Sequence, residues 1–364
     1  MTDFLYIHIP FCKKKCKYCS FISIEDIKLI DEYIAALLCH IKSNYKGEKL
    51  KTIYIGGGTP SLLNVNQIRQ ILKVLNFDSS TEITMEVNPS DVNFEYLQGL
   101  RNAGINRLSL GIQSFDDGLL SLIGRRHTSA QAEQAVLSAQ KAGFTNINAD
   151  VIYGLPSQTL QNYKDTLKKL IDLEVEHISL YGLKIEEGCF FFKNPPEDLP
   201  DDEMQAEMYL LSCGMLKEAG YEHYEISNFA KNGFSSRHNL NYWDAGEYYG
   251  FGAAAHGYSN GIRYANRKNV KEYVENPLEL ENSHSLSAQE RLEEKIFLGF
   301  RKLAGINIAE INEEFSIDFE KKYEKIIKKY TELKHIQKTS NGYKLTENGA
   351  LLSNYFLSEF LDCY

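Results

Sequence analysis

The chain has 364 residues, 43% hydrophobic and 24% charged, with a formal net charge of −9. That composition fits a globular protein with one large domain and a smaller appended one, and excludes a disordered chain. The acidic balance argues against non-specific nucleic-acid binding, which rests on a basic surface, and no apolar run reaches membrane-spanning length.

Six short β-rich runs recur in order: FLYIHIP, KTIYIGGG, EITMEVNP, RLSLGIQS, INADVIYGLP and HISLYGL. Each has the Val, Ile, Tyr or Leu content of a buried strand, and most end in Gly or Pro. Helical patterns lie between them, over 26–43, 64–75, 91–103, 129–142 and 159–173. The alternation predicts right-handed βαβ units and a parallel sheet, in either an open doubly wound sheet or an incomplete barrel. Both place chemistry at the C-terminal ends of the strands. After the loop KNPPEDLP a further helix is expected over 202–219, followed by an aromatic belt from Tyr221 to Tyr264 that contains RHNLNYWDAGEYYGFGAAAHGY. From about Leu286 the pattern is three helices and two strands around a turn at Asn341 and Gly342, the shape of a small winged-helix domain. Glu293, Glu294, Glu310, Glu313 and Glu314 leave it no consistent basic face, so packing or partner docking is expected there rather than DNA binding. The expected division is 1–220, 221–285 and 286–364.

Polar residues gather at the expected strand ends. Cys12, Cys16 and Cys19 follow the first strand, Gly56, Gly57 and Gly58 the second, Glu86 and Gln113 end the third and fourth, and Asp150 sits within the fifth. One such residue is ordinarily a cap or a solvated turn; their coincidence on successive strands points to a site. Cys39, Cys189, Cys213 and Cys363 are scattered singly, so a secreted disulfide framework is not expected, and the early cysteine loop leaves no room for a signal peptide. The expected location is cytoplasmic. In a reducing compartment, thiols three and two residues apart suit a metal centre. Structural zinc wants four closed ligands, usually in two separated pairs, and the sequence has no second CxxC. A four-iron cluster held by three cysteines leaves one iron open for another ligand, and Lys13, Lys14, Lys15 and Lys17 offset the negative charge of thiolates and cluster. The GGGTP run lacks the Lys-Ser or Lys-Thr of a P-loop, so its glycines are read as letting backbone approach a ligand closely, with Thr59 and Pro60 fixing the turn.

The context CKKKCKYCSF followed by GGGTP resembles the radical S-adenosylmethionine superfamily. The resemblance implies a partial (β/α)6 barrel, carrying here a mostly helical, winged-helix-like C-terminal domain. It also implies a [4Fe-4S] cluster on Cys12, Cys16 and Cys19 whose open iron chelates S-adenosylmethionine, with electron transfer cleaving the cofactor to a 5′-deoxyadenosyl radical. The runs MEVNPSD, GINRLSLGIQSFDD, GRRH, INADVIYGLP and HNLNYW are similar to the family of oxygen-independent coproporphyrinogen III oxidases and HemW haem chaperones. By position, Tyr6 and Gly56 to Gly58 with Thr59 would border the cofactor, and Glu86 would engage its amino-acid or ribose groups. Gln113, Arg125 and Asp150 would complete the pocket, Arg125 being suited to a carboxylate through its fork. The oxidase pattern has a longer arm before its cysteines and a further Cys two places after the third; here position 21 is Phe. With His238 to Trp243 matching HNxxYW, the chaperone branch is the expected one. On that reading haem is a cofactor or cargo, His238 an axial ligand, Tyr242 and Trp243 flat surfaces for the macrocycle, and His256 or His223 alternative ligands. His8 and His127 are read as structural, or in the case of His127 as lining the pocket. The implied partners are haem-accepting apoproteins such as respiratory cytochromes or oxidases and a second copy of the chain, with no more than peripheral membrane contact.

Overall fold

The structure is a computed structural model that describes residues 2–361; Cys363 lies outside them. The six expected strands form as β1 (Phe4–Ile9), β2 (Thr52–Gly57), β3 (Glu82–Val87), β4 (Arg107–Gln113), β5 (Ile147–Tyr153) and β6 (His177–Gly182). They pair in parallel and in sequence order, with Tyr6 opposite Tyr54, Ile55 opposite Met85, Glu86 opposite Ser109 and Asp150 opposite Ser179.

The two faces of this sheet differ in chemistry. Strand side chains alternate from face to face. Leu5, Ile7, Ile53, Ile55, Ile83, Met85, Leu108, Leu110, Ile147, Ala149, Val151 and Ile178 are all buried in the main core. The alternate positions carry Tyr6, Tyr54, Glu86, Ser109, Asp150 and Ser179. Burying apolar side chains contributes about 1.5–3 kcal/mol each, so the apolar face fixes which way every strand turns. The polar face is left to the inside.

Helices α1 (Ile30–Asn44), α2 (Val65–Lys73), α3 (Phe94–Ala103), α4 (Asp117–Leu122), α5 (Ser129–Lys141) and α6 (Leu160–Asp172) lie between the strands, and α7 (Phe190–Lys193) and α8 (Asp202–Glu218) follow β6. Their starts are written locally. Asn64 with Gln67, Thr128 with Gln131 and Thr159 with Asn162 form reciprocal capping boxes, and Asn93 caps α3. The short helix α4 has no counterpart in the sequence reading.

The expected division at residue 220 needs correcting, because the sheet runs through it. Strands β7 (Glu222–Glu225) and β8 (Asn228–Ala230) add antiparallel beyond β6, and β9 (Tyr249–Phe251) adds parallel to β1, giving the order β7-β8-β6-β5-β4-β3-β2-β1-β9. The aromatic belt therefore supplies both edges of the central sheet, plus a three-stranded antiparallel sheet, β10 (His256–Ser259), β11 (Ile262–Asn266) and β12 (Leu280–Ser285). Beyond it come helices over 288–299, 308–315 and 324–332 and a hairpin of β14 (Ile336–Lys338) and β15 (Gly342–Leu345), with β13 (Ile306–Asn307) on its other side. Among the described residues no helix is long and apolar enough to cross a membrane.

Candidate cofactor site

The cysteine loop leaves β1 at the C-terminal end of the sheet and is tied down by backbone. Cys12 N–H donates to Ile24 O at 3.0 Å, Ile24 N–H to Pro10 O at 2.8 Å and Lys17 N–H to Ile123 O at 3.0 Å. His8 adds a side-chain tether: its Nε2 bonds Ile22 O at 3.0 Å, and its Nδ1 accepts from the Tyr6 hydroxyl at 2.8 Å. Lys13 pairs with Asp91 at 2.9 Å, and Arg126 pairs with the same carboxylate. Burial pushes the Cys19 thiol up to about 11, and Cys16 and Cys12 push in the same direction. A cationic centre would deprotonate such a thiol outright. Among the described residues no three His, Cys, Asp or Glu side chains converge on a point for a single metal ion.

Beside the loop, the glycine run brings backbone close to other chain. A Cβ on Gly57, whose φ is +113°, would meet the His8 ring at 2.6 Å, and one on Gly58 would meet Phe11 O at 2.7 Å. A Cβ on Gly56 would meet Glu86 Oε1 at 2.8 Å. Only glycine fits these positions. Thr59 Oγ1 lies 3.4 Å from Cys12 Sγ. Glu86 accepts from the Tyr54 hydroxyl at 2.9 Å and from Gly57 N–H at 3.0 Å. Burial, and then the neighbouring Asp150, raise its carboxyl to about 7. Asp150 accepts from Ser109 Oγ at 2.9 Å and Asn148 Nδ2 at 2.8 Å, and burial also shifts it upward.

Arg125 places Nη1 3.5 Å from Cys16 Sγ and donates through Nη2 to Gly111 O. Gln113 ends β4 at an irregularity in the β4–β5 register, with φ at +67° in the left-handed region. Such strain in a non-glycine residue is held only where the surroundings enforce it. Gln113 Oε1, Arg125 Nε and His127 Nδ1 are buried atoms with no hydrogen-bond partner. Unspent donors and acceptors beside the cysteine loop fit a ligand with amino, carboxylate and hydroxyl groups. Gly56, Gly57, Glu86 and Gln113 thus lie at or near strand ends, Tyr6 and Asp150 lie within β1 and β5, and Thr59 and Arg125 reach Cys12 and Cys16.

Sequence reasoning missed the layer beneath. Tyr54, Ser109, Asn148, His177 and Ser179 hold the carboxylates from below. Asn148 Oδ1 bonds His177 Nδ1 at 2.6 Å and Ser179 Oγ at 3.0 Å, and His177 Nε2 bonds the Tyr224 hydroxyl at 2.8 Å. The signal was present as polar residues at every second position of otherwise apolar strands.

The HNxxYW segment occupies the other end of the sheet, and the assignment of His238 as an iron ligand needs correcting. The segment is helix α9 (Arg237–Trp243), capped by Ser236, with the backbone N–H groups of Arg237 and His238 donating to Glu82 at the start of β3. His238 is 1% exposed, its Nδ1 bonds Thr52 Oγ1 at 2.7 Å, its Nε2 bonds the Tyr242 hydroxyl at 2.8 Å, and its ring stacks on Tyr54 at 5.1 Å. Burial drives its pKa down to about 3. Neither ring nitrogen is free for iron. The Tyr242 hydroxyl is committed to His238, and the Arg301 guanidinium lies over the Trp243 ring, 4.4 Å from its centroid. His223 stacks on Phe229 at 4.0 Å and bonds Ile226 O at 3.2 Å, whereas His256 is exposed on β10.

Comparison with known proteins gives concordant results. The family model for the radical SAM superfamily matches residues 6–170, and that for the HemN C-terminal domain matches 286–352. The chain is 39% identical to the heme chaperone HemW of Lactococcus lactis, over 98% of this chain and 96% of that protein. It is 36% identical to the heme chaperone HemW of Bacillus subtilis, over 98% of each chain. Among solved structures, coproporphyrinogen III oxidase (HemN) from Escherichia coli, a radical SAM enzyme, superposes with a TM-score of 0.87 at 23% identity, over 99% of this chain and 90% of that one. That likeness establishes the radical SAM fold, with its central parallel sheet and helical C-terminal part.

Proposed function

This chain belongs to the HemW family of the radical S-adenosylmethionine superfamily, and on that footing we propose that it is a haem chaperone. It binds an iron-sulfur cluster, S-adenosylmethionine and haem, and delivers haem to haem-dependent apoproteins in the cytoplasm or at the membrane surface. The observation that carries this reading is the likeness to heme chaperones along 98% of the chain.

Cys12, Cys16 and Cys19 are the cluster ligands in this proposal. When bound, the cluster supplies an electron and an open iron to the amino-acid end of the cofactor. The residues around it hold and orient. Gly56 to Gly58 let the end of β2 pack directly on Glu86, His8 and Phe11 beside the cysteine loop, Arg125 offers its unused Nε to a carboxylate, Gln113 offers Oε1 to an ammonium group, and Asp150 and Glu86 accept from ribose hydroxyls. Tyr6 fixes His8, which in turn fixes the cysteine loop through Ile22.

The test separates chaperone from oxidase. Anaerobically reconstituted protein is incubated in one arm with haem and in the other with coproporphyrinogen III and S-adenosylmethionine. Stable, stoichiometric haem binding without decarboxylation is expected; release of carbon dioxide with no haem binding would overturn the reading.

A further inference from the structure

Next to the cysteine loop the chain leaves large apolar side chains in solvent on a fixed backbone. In the segment FFFK the middle residue, Phe191, is buried in a small separate core with Leu119, Ile123, Ile152, Leu155 and Cys189, against which Tyr18 of the loop packs. Phe191 N–H also donates to Lys17 O at 3.0 Å. These contacts pin the segment to the cysteine loop while its neighbours Phe190 and Phe192 stay 53% and 52% exposed. A second tie, Ser20 Oγ to Glu186 at 3.0 Å, holds the same segment beside the end of the loop, where Phe21 is 65% and Ile22 38% exposed. Large apolar side chains left in solvent on two segments that these bonds hold together mark a candidate binding surface.

The charge on this rim identifies the occupant. Lys17 Nζ sits 5.9 Å from the centroid of the Phe190 ring, and Lys14 is exposed with no ion-pair partner among the described residues. Glu186, held by Ser20, and Glu187 are exposed on the same segment, so Lys14 and Lys17 give an anion a local foothold rather than a broad basic face, and the exposed rings favour an aromatic one. A planar tetrapyrrole with two carboxylates meets both requirements. Another apolar patch, Leu333, Leu352 and Tyr355 in the C-terminal region, is 53%, 49% and 76% exposed, but the nearby Lys329 is already held by Glu359 at 2.7 Å.

We propose that haem seats on the rim formed by Phe21, Ile22, Phe190 and Phe192, with its propionates on Lys14 and Lys17, beside the cysteine loop rather than on α9. The proposal rests on the haem-chaperone reading and places cargo and cluster at one mouth of the fold.

The test is a haem titration followed by Soret absorbance, on anaerobically reconstituted full-length protein at low ionic strength. Phe190→Ser/Phe192→Ser should weaken haem binding ~10-fold or more, because two ring contacts are lost. Lys14→Glu lies on an exposed side chain and leaves packing alone; it should weaken binding several-fold, with the difference shrinking as salt is added. Leu333→Ser/Tyr355→Ser should bind as the wild type does. Wild-type protein that binds haem, with rim variants that bind equally well, would overturn the location and leave the chaperone reading standing. Wild-type protein that binds no haem would overturn both. Unchanged haem affinity in rim variants whose cluster is reduced more slowly by an acidic flavoprotein would assign the rim to a protein partner instead.

Discussion

Glu86→Gln separates the cost of the cofactor cradle from its use. Glu86 is enclosed beneath the glycine run, and burial, followed by the charge of Asp150, raises its carboxyl from 4.5 to about 7. A folded-state pKa above the unfolded one means that the native state holds the proton more tightly. The wild type therefore has this contribution in full below pH 4.5 and loses it as pH rises through 7, a swing of about 3 kcal/mol. Glutamine keeps the shape: its carbonyl can accept from Gly57 N–H, and its amide can donate to the Tyr54 hydroxyl in place of the bond Glu86 accepts. Apo Glu86→Gln should match the wild type near pH 4.5 and become progressively more stable than it toward pH 8, while its affinity for S-adenosylmethionine falls ~10-fold through loss of a charged acceptor. The assay is thermal unfolding of both proteins by circular dichroism from about pH 4.5 to about pH 8, with cofactor affinity measured in parallel on reconstituted protein. A stability difference that does not change with pH would refute the assignment of a strained carboxylate at this position.

Three further outcomes are expected. Cys12→Ala, Cys16→Ala and Cys19→Ala should each abolish a content of about four irons and four sulfides per chain, measured by iron and sulfide analysis after anaerobic purification, whereas Cys39→Ala and Cys213→Ala should retain it. Arg125→Ala should weaken S-adenosylmethionine binding by about 1.5–3 kcal/mol in equilibrium binding, since a charge-assisted hydrogen bond is lost. His238→Ala leaves the Thr52 and Tyr242 hydroxyls without their shared partner and should lower stability by about 2–4 kcal/mol in denaturant melts, with the Soret spectrum of bound haem unchanged.

Much of the scaffold was legible because its signals are local. Apolar residues at every second position set the strands, and Asn64, Thr128 and Thr159 mark helix starts within a residue of where they form. Gln113 was identifiable as a strand-end polar group and Asp150 as a polar group within an apolar strand, and the cysteine spacing stood out without any fold. What was hidden depends on contacts between distant segments. Nothing in Tyr249 to Phe251 says that they pair with Leu5 to Ile7, so the edges of the sheet were assigned to a connecting region. His238 carries the same imidazole whether it binds iron or bridges Thr52 and Tyr242; only the position of α9 at the start of β2 and β3 decides, through Thr52 and Glu82. The aromatic rim was invisible because Phe190, Phe191 and Phe192 are identical in sequence and opposite in burial.

The most direct test of the chaperone assignment is haem transfer. Haem-loaded protein, with its cluster and S-adenosylmethionine in place, is mixed anaerobically with an apo-cytochrome, the two are separated by size, and the Soret absorbance of each fraction is followed with time. Haem should move to the acceptor faster than its spontaneous release from the loaded protein to a passive haem scavenger. Transfer no faster than that release, or haem that stays with this chain, would contradict the assignment.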